Sequence, residues 1–222
     1  MKKVTLIIAF LLISSAWVLG AAKEFDIHGK TLISKNPPFS FTLPSELQWA
    51  HAFSSEHPAE NSLTRAAFLI REKKKQVEEM LIIQIAEKTN PQAGPMMVPP
   101  LKPYDEKGMC IRGKIKKGDV EVEYLNQLMT WNPDAPSLQP LVKKGLTIPA
   151  HWALQCQLMF QPQLDQAVFI RYSRDVDSFG LKVSNGGKNW NKESIAGNEK
   201  KVFEAFQKMA SEMVDSLRFQ TP

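Results

Sequence analysis

Apolar residues recur at every second position through much of this chain, and only near the carboxyl terminus does their spacing become helical. Residues 39–43 alternate apolar and polar side chains, which predicts a strand that Pro44 ends. Residues 80–86 are apolar at nearly every position, so we expect a strand covered on both faces and central in a sheet. These patterns predict a core built mainly from β-strands.

Two further pairs of apolar segments are separated by short polar turns. Residues 63–71 and 77–87 flank a turn of three lysines, and residues 152–160 and 168–172 flank a turn near 162–165. Segments of this kind joined by a few polar residues are typical of hairpins. The chain therefore predicts a mostly antiparallel sheet.

The hairpin around Gly118 has enough charge to suggest a register. If Lys117 and Gly118 form the turn, three opposite-charge pairs face each other on one side and apolar pairs on the other. The charged pairs would be Lys116–Asp119, Lys114–Glu121 and Arg112–Glu123, and the apolar pairs Ile115–Val120 and Ile111–Tyr124.

The last segment has the period of an amphipathic helix. Phe203, Phe206, Ala210, Met213 and Leu217 recur at spacings of three and four, which predicts one apolar face against a core. Asn198 is the candidate N-cap. No comparable helical pattern lies between Trp49 and Lys192.

The amino terminus has the order of a secretory signal peptide, residues 1–22. Two lysines precede an apolar run at 4–19 and small residues at 20–22, and cleavage after Gly20 or Ala22 is compatible with this order. An uncleaved anchor is the alternative, although the run is shorter than a bilayer span. We expect an exported protein, periplasmic or secreted, with residues 23–222 as a single domain and no integral membrane segment after signal removal.

Charge and motifs exclude several functions. The formal net charge is +5, of which Lys2 and Lys3 of the leader contribute two, and the basic clusters fall in expected turns. This disfavours nucleic-acid binding. Because no nucleophile elbow, phosphate loop or dinucleotide fingerprint occurs, we assign no catalytic or cofactor-binding residues, expect no cofactor and predict that the protein is not an enzyme.

Metal-ligand patterns are also weak. The four histidines, His28, His51, His57 and His151, are scattered, and we assign no metal ligands. His51, His57 and Glu60 are the nearest approach to a set, for which ordinary surface positions are the simpler interpretation.

Cys110 and Cys156 form a possible disulfide in an oxidising compartment. The strand pattern places Cys156 on an apolar face and Cys110 on the charged face of its hairpin, which argues against a bond. Because Cys110 lies near the start of its strand, the pairing stays open.

The best candidate for a partner-contact surface is a proline-rich loop at residues 89–103. It presents Met96, Met97, Val98 and Leu101, and apolar residues in a stiff loop often mark a contact surface. The alternative is that the loop folds back over a sheet edge.

Two short stretches resemble a known family. They are Phe39-Ser40-Phe41-Thr42-Leu43-Pro44 with Trp49 nearby, and the terminal Met213-Val214-Asp215-Ser216-Leu217-Arg218-Phe219. Together they resemble PsbP-like and DcrB-like exported proteins. The resemblance implies an α+β fold of the α/β/α sandwich kind, with a mostly antiparallel sheet and the last helix packed on it. A lipocalin-like β-barrel with a terminal helix is the alternative, although the usual Gly-x-Trp opening is absent.

The function expected from this resemblance is a non-catalytic accessory or binding protein of the bacterial cell envelope, with another envelope protein as its partner. One alternative is a carrier that encloses an apolar small molecule in a cavity. A hydrolase is the least favoured alternative, since it needs polar residues that converge in a cleft.

Overall fold

The computed structural model describes residues 24–90, 92, 94–105, 108–183 and 190–220, so the expected signal peptide lies outside the described residues. The described residues form eleven strands and two α-helices. The strands are β1 (Phe25–His28), β2 (Thr31–Lys35), β3 (Pro38–Thr42), β4 (Gln48–His57), β5 (Ser62–Lys73), β6 (Gln76–Lys88), β7 (Cys110–Lys117), β8 (Val120–Thr130), β9 (Trp152–Gln163), β10 (Gln166–Asp175) and β11 (Arg218–Phe219). The helices are α1 (Gln139–Lys143) and α2 (Gly197–Ser216).

The strands form two antiparallel sheets. The large sheet has seven strands in the order β4-β5-β6-β10-β9-β8-β7, and the small sheet has four in the order β1-β2-β3-β11. The fold is therefore of the α+β class. The large sheet ends at β4 and β7 without closing, so the barrel alternative is not the fold of the described residues.

The predicted central strand is confirmed. β6 lies between β5 and β10 and carries buried side chains on both faces, Leu81 and Ile83 on one and Met80 on the other. The turn before β6 is formed by Lys74 and Lys75, which adopt φ angles of 51° and 66°. The hairpin of β9 and β10 is also confirmed.

The terminal helix is confirmed, but its predicted start is not. α2 begins at Gly197 after Ala196, and the Asn198 amide donates a hydrogen bond to the Lys182 carbonyl instead of capping the helix. The apolar stripe packs as predicted: Phe206 lies parallel to Tyr172 of β10, with ring centroids 5.9 Å apart. After the helix, β11 pairs with β3, and this pairing joins the two stretches that carry the family resemblance.

The two faces of the large sheet are covered differently. The small sheet and α2 cover one face, here called the helix face, and a single apolar cluster there extends from Phe25 to Leu217. The opposite face, here called the loop face, is covered by residues 131–151 and 94–105, which pack over two smaller clusters. α1 lies within the first of these loops. The sequence pattern missed α1 because five residues are too few to show a helical period.

Candidate functional site

β7 forms one outer edge of the large sheet. It pairs with β8 on its inner side, and within the described residues no strand pairs with its outer side. The side chains of Arg112, Lys114 and Lys116 are exposed and share the loop face. β7 therefore presents eight residues of edge backbone with three cations in one row.

The predicted register of this hairpin is wrong by one position at the turn. Gly118 and Asp119 form the turn, so Lys117 opposes Val120 and Lys114 opposes Glu123. Gly118 has a φ of 63°, which suits glycine in the first turn position and explains the shift. Each residue of β7 opposes a residue two positions further along β8 than predicted, so every side chain stays on its predicted face.

The Lys114–Glu121 pair survives as a diagonal contact. The Lys114 Nζ donates to the Glu121 carboxylate over 2.7 Å. This hydrogen bond and the charge of Glu121 raise the pKa of Lys114. The carboxylates of β8 thus lie inside the row of cations on β7, and the outermost row is positive.

A groove lies beside β7 on the loop face. It has a volume of about 620 Å³ between Pro100–Pro103 of the proline loop and Arg112, Lys114 and Glu123 of the hairpin. The Leu101 amide donates to the Glu123 Oε1 over 3.2 Å, which fixes the loop above the sheet. A second space of about 320 Å³ shares Pro100, Lys114 and Glu123 and continues towards Val98.

Another groove lies beside β7 on the helix face. It has a volume of about 410 Å³, with Ile111, Ile115 and Tyr124 on the sheet side and Val214 among the residues of α2. Tyr124 lies across Gly113: a Cβ atom added there would be 2.6 Å from the Tyr124 hydroxyl oxygen. Gly113 therefore lets the Tyr124 ring cover the edge strand.

The predicted contact loop contributes to the first groove only in part. Leu101 lines the first groove and is buried against Cys110, Leu125 and Met159, whereas Val98 lines the second space. The Met96 backbone N–H donates a hydrogen bond to the Leu164 carbonyl, and the Met96 carbonyl accepts one from the Gln161 side chain. Met97 is 88% exposed. The loop thus covers the sheet, and its partner-contact role remains a prediction for which Met97 is the accessible residue.

The possible disulfide is not formed. Cys110 and Cys156 are both free and buried. Cys110 packs under the proline loop, whereas Cys156 belongs to the helix-face cluster, so the sheet separates the two thiols as the strand pattern suggested. Burial raises the pKa of the Cys156 thiol to about 12, which makes it a poor nucleophile.

One histidine lies in a cluster that the sequence analysis missed. The His151 Nε2 is 2.7 Å from the Asp175 Oδ1 and 3.5 Å from the Asp177 Oδ2. His151 is more than 20 positions away from either aspartate in the chain, and only the β9–β10 register brings it close to them. The sequence offers no clear signal for this cluster, because Asp175 lies on the face of β10 that also carries Arg171 and Ser173.

The histidine set considered from the sequence is not assembled. Within the described residues, the possible metal-ligand groups do not include His51, His57 or Glu60. His51 instead lies near the Phe53 and Phe68 rings, and burial together with the charge of Lys144 lowers its pKa.

The contacts of a buried carboxylate beneath α2, that of Glu79, indicate a structural role. Glu79 is fully buried, and its carboxylate lies 2.6 Å from the Arg71 guanidinium. The Tyr172 hydroxyl donates to it over 2.7 Å, and the Ser45 hydroxyl donates to it as well. These contacts tie the segment after β3 to the sheet and close the carboxylate off from solvent.

Comparison of the chain with protein-family models, curated proteins and solved structures finds no match in any of the three. The PsbP-like resemblance therefore stays an expectation from two short motifs. Within the described residues, none of the helices has the length and apolar character needed to span a membrane.

Proposed function

We propose that this protein is a non-catalytic, exported binding protein of the bacterial cell envelope, and that it binds an extended segment of a partner protein along β7. The observation that carries the proposal is the outer edge of β7, with a groove on each face of the strand. Export is supported by the leader-like residues 1–22, and a PsbP-like α/β/α sandwich by the β11–β3 pairing of the two motifs.

An edge strand offers backbone N–H and C=O groups to an incoming strand. Main-chain hydrogen bonds supply affinity in this mode, and pockets for alternate side chains supply specificity. The two grooves lie where successive side chains of an added strand point, towards opposite faces of the sheet. β7 therefore has both parts of a strand-addition site.

The charges on β7 disfavour its pairing with the β7 strand of a second copy of the protein. Arg112, Lys114 and Lys116 occupy one row, so two β7 strands paired edge to edge would bring like charges together. An incoming strand with carboxylates at alternate positions would instead extend the alternation of charge that begins on β8. Its other face would meet Ile111 and Ile115, which favours apolar side chains there.

The residues that line the groove of about 620 Å³ also disfavour the carrier alternative. An apolar carrier needs an enclosed apolar cavity. This groove instead has Arg112, Lys114 and Glu123 in its walls, which suits a polar peptide backbone better than an apolar small molecule.

The test uses a fluorescent ten-residue peptide of alternating glutamate and valine, titrated against the exported protein by anisotropy. Counted from the Gly118–Asp119 turn, Lys114 directs its N–H to the free edge, because paired residues alternate between inward and outward bonding. Lys114→Pro removes that donor, whereas Lys114→Ala keeps it and removes only the charge. We expect the proline variant to bind at least ~10-fold more weakly than the alanine variant.

A peptide of alternating lysine and valine is the charge-reversed control and should not bind. Circular dichroism and the urea midpoint show whether the proline variant is folded. Equal affinity of a folded Lys114→Pro variant and Lys114→Ala for the acidic peptide, or no binding by the unmodified protein, would refute the β7 site.

A further inference from the structure

The open end of the β9–β10 hairpin places a nitrogen ligand beside two carboxylates. His151 directly precedes β9, Asp175 is the last residue of β10, and Asp177 follows in a 3₁₀ turn over Val176–Phe179. The Asp175 Oδ1 also accepts the Asp177 backbone N–H at 3.1 Å, which holds the turn against the strand end. The hairpin register and this turn fix the three side chains relative to one another.

The donor atoms have the spacing of a metal-ligand set. One ligand atom from each of His151, Asp175 and Asp177 lies within 4.8 Å of the others. The Asp175 side chain is 3% exposed, whereas the His151 and Asp177 side chains are 28% and 53% exposed. The cluster thus has a buried floor and a side open to solvent.

The cluster contains two carboxylates and one basic side chain. In the described part of the chain, the carboxylates of Asp175 and Asp177 form no ion pair with lysine or arginine, and His151 is their ion-pair partner. The buried carboxylate of Asp175 is one of the two acidic groups in the cluster. A dication bound to the neutral imidazole and both carboxylates would neutralise the cluster.

We propose that His151, Asp175 and Asp177 bind a divalent transition-metal ion of the zinc class, with water in the position that faces solvent. Zinc binds imidazole nitrogen and carboxylate oxygen at roughly 2.0–2.2 Å, which puts neighbouring ligands of a tetrahedron about 3.3 Å apart. The 3.5 Å distance between the His151 Nε2 and the Asp177 Oδ2 already fits this ligand spacing. The distance between the His151 Nε2 and the Asp175 Oδ1 must increase by roughly half an ångström. This site is independent of peptide binding at β7.

The experiment is calorimetric titration of the chelator-treated exported protein with zinc chloride. We expect one zinc ion per chain, and an affinity at least ~10-fold weaker in His151→Gln and in Asp177→Asn. His28→Gln and His57→Gln are the matched controls, since both residues are exposed and outside the cluster, and they should bind like the unmodified protein.

Asp177→Asn keeps the test valid if the histidine variant does not fold, because Asp177 is exposed in a turn. A zinc-dependent shift of the His151 ring resonances in NMR spectra is the second measurement expected. The proposal is overturned if zinc shows no saturable binding, or if folded His151→Gln and Asp177→Asn bind zinc as tightly as the unmodified protein.

Discussion

The helix face and the loop face of the large sheet are built on different principles. On the helix face one continuous apolar cluster joins both sheets and α2. On the loop face two separate clusters lie under residues 131–151 and 94–105. A continuous apolar face fixes the fold, whereas a divided face leaves room for grooves and polar side chains.

A strip of polar side chains divides the loop face. The Gln155 Oε1 accepts from the Gln127 and Gln157 amides at 3.2 and 2.7 Å, and the Gln155 amide donates to Ser173 at 3.0 Å. Arg171 donates to Gln84 nearby, and burial lowers the pKa of Arg171. Such a network is directional, so it specifies side-chain positions on this face that apolar packing alone would not.

The largest expected effect tests whether packing on the helix face supplies most of the free energy of unfolding. Phe206→Ala removes a fully buried ring that stacks on Tyr172, and we expect a loss of about 3–5 kcal/mol in the free energy of unfolding. Val98→Ala, at the partly buried rim of the loop face, should cost about 1 kcal/mol. Urea denaturation measures both, and equal losses would break the contrast between the faces.

The next effect concerns the buried carboxylate of the helix face. Glu79→Gln leaves Arg71 and Arg174 without their shared partner, for which we expect a loss of about 2–3 kcal/mol, less than for a fully buried pair because Arg71 is 38% exposed. Glu78→Gln is the matched control: Glu78 contacts Arg71 at 3.4 Å but is more exposed, and about 0.5 kcal/mol is expected. A similar loss of unfolding free energy in both variants would show that the burial of Glu79 does not add to its contribution to stability.

A smaller effect appears at alkaline pH. The buried Cys156 thiol has a pKa of about 12 against an ordinary 9.0, so above pH 9 the unfolded chain loses this proton while the folded chain keeps it. Stability should therefore fall as the pH rises, by about 1.4 kcal/mol at pH 10 for this group. Burial raises the pKa of Tyr172 too, which extends the loss to higher pH.

Urea denaturation at pH 8 and pH 10 measures this loss, and Cys156→Ala supplies the comparison. The variant should lose about 1.4 kcal/mol less than the unmodified protein between the two values. An identical loss in both proteins would show that the thiol is not held protonated by the helix-face core.

The sequence predicted the helix face well because its signals are local and periodic. The stripe from Phe203 to Leu217 and the apolar run of β6 each reveal a buried surface without knowledge of the partner element. The hairpin turn was misplaced because its charges fit two registers that keep the same faces, and only the backbone at Gly118 distinguishes them.

The loop face and the candidate sites were harder to predict because they depend on long-range pairing. His151 meets Asp175 through the register of β9 and β10, and Leu101 meets Cys110 through a loop without a repeating pattern. The outer position of β7 depends on the order of all seven strands. Spacing along the chain contains none of this information.

The smallest expected effect distinguishes the ion pairs of the two faces. Lys114→Ala removes a pair whose side chains are each 60% exposed, so solvent replaces the lost contact and the urea midpoint should not change measurably. Arg65→Ala is the helix-face counterpart: its side chain is 9% exposed and bridges Glu24 and Glu87, so its loss should lower the midpoint clearly. If Lys114→Ala lowered the midpoint as much as Arg65→Ala, the cations of β7 would stabilise the folded protein itself. The argument that they are kept for an incoming acidic strand would then lose its basis.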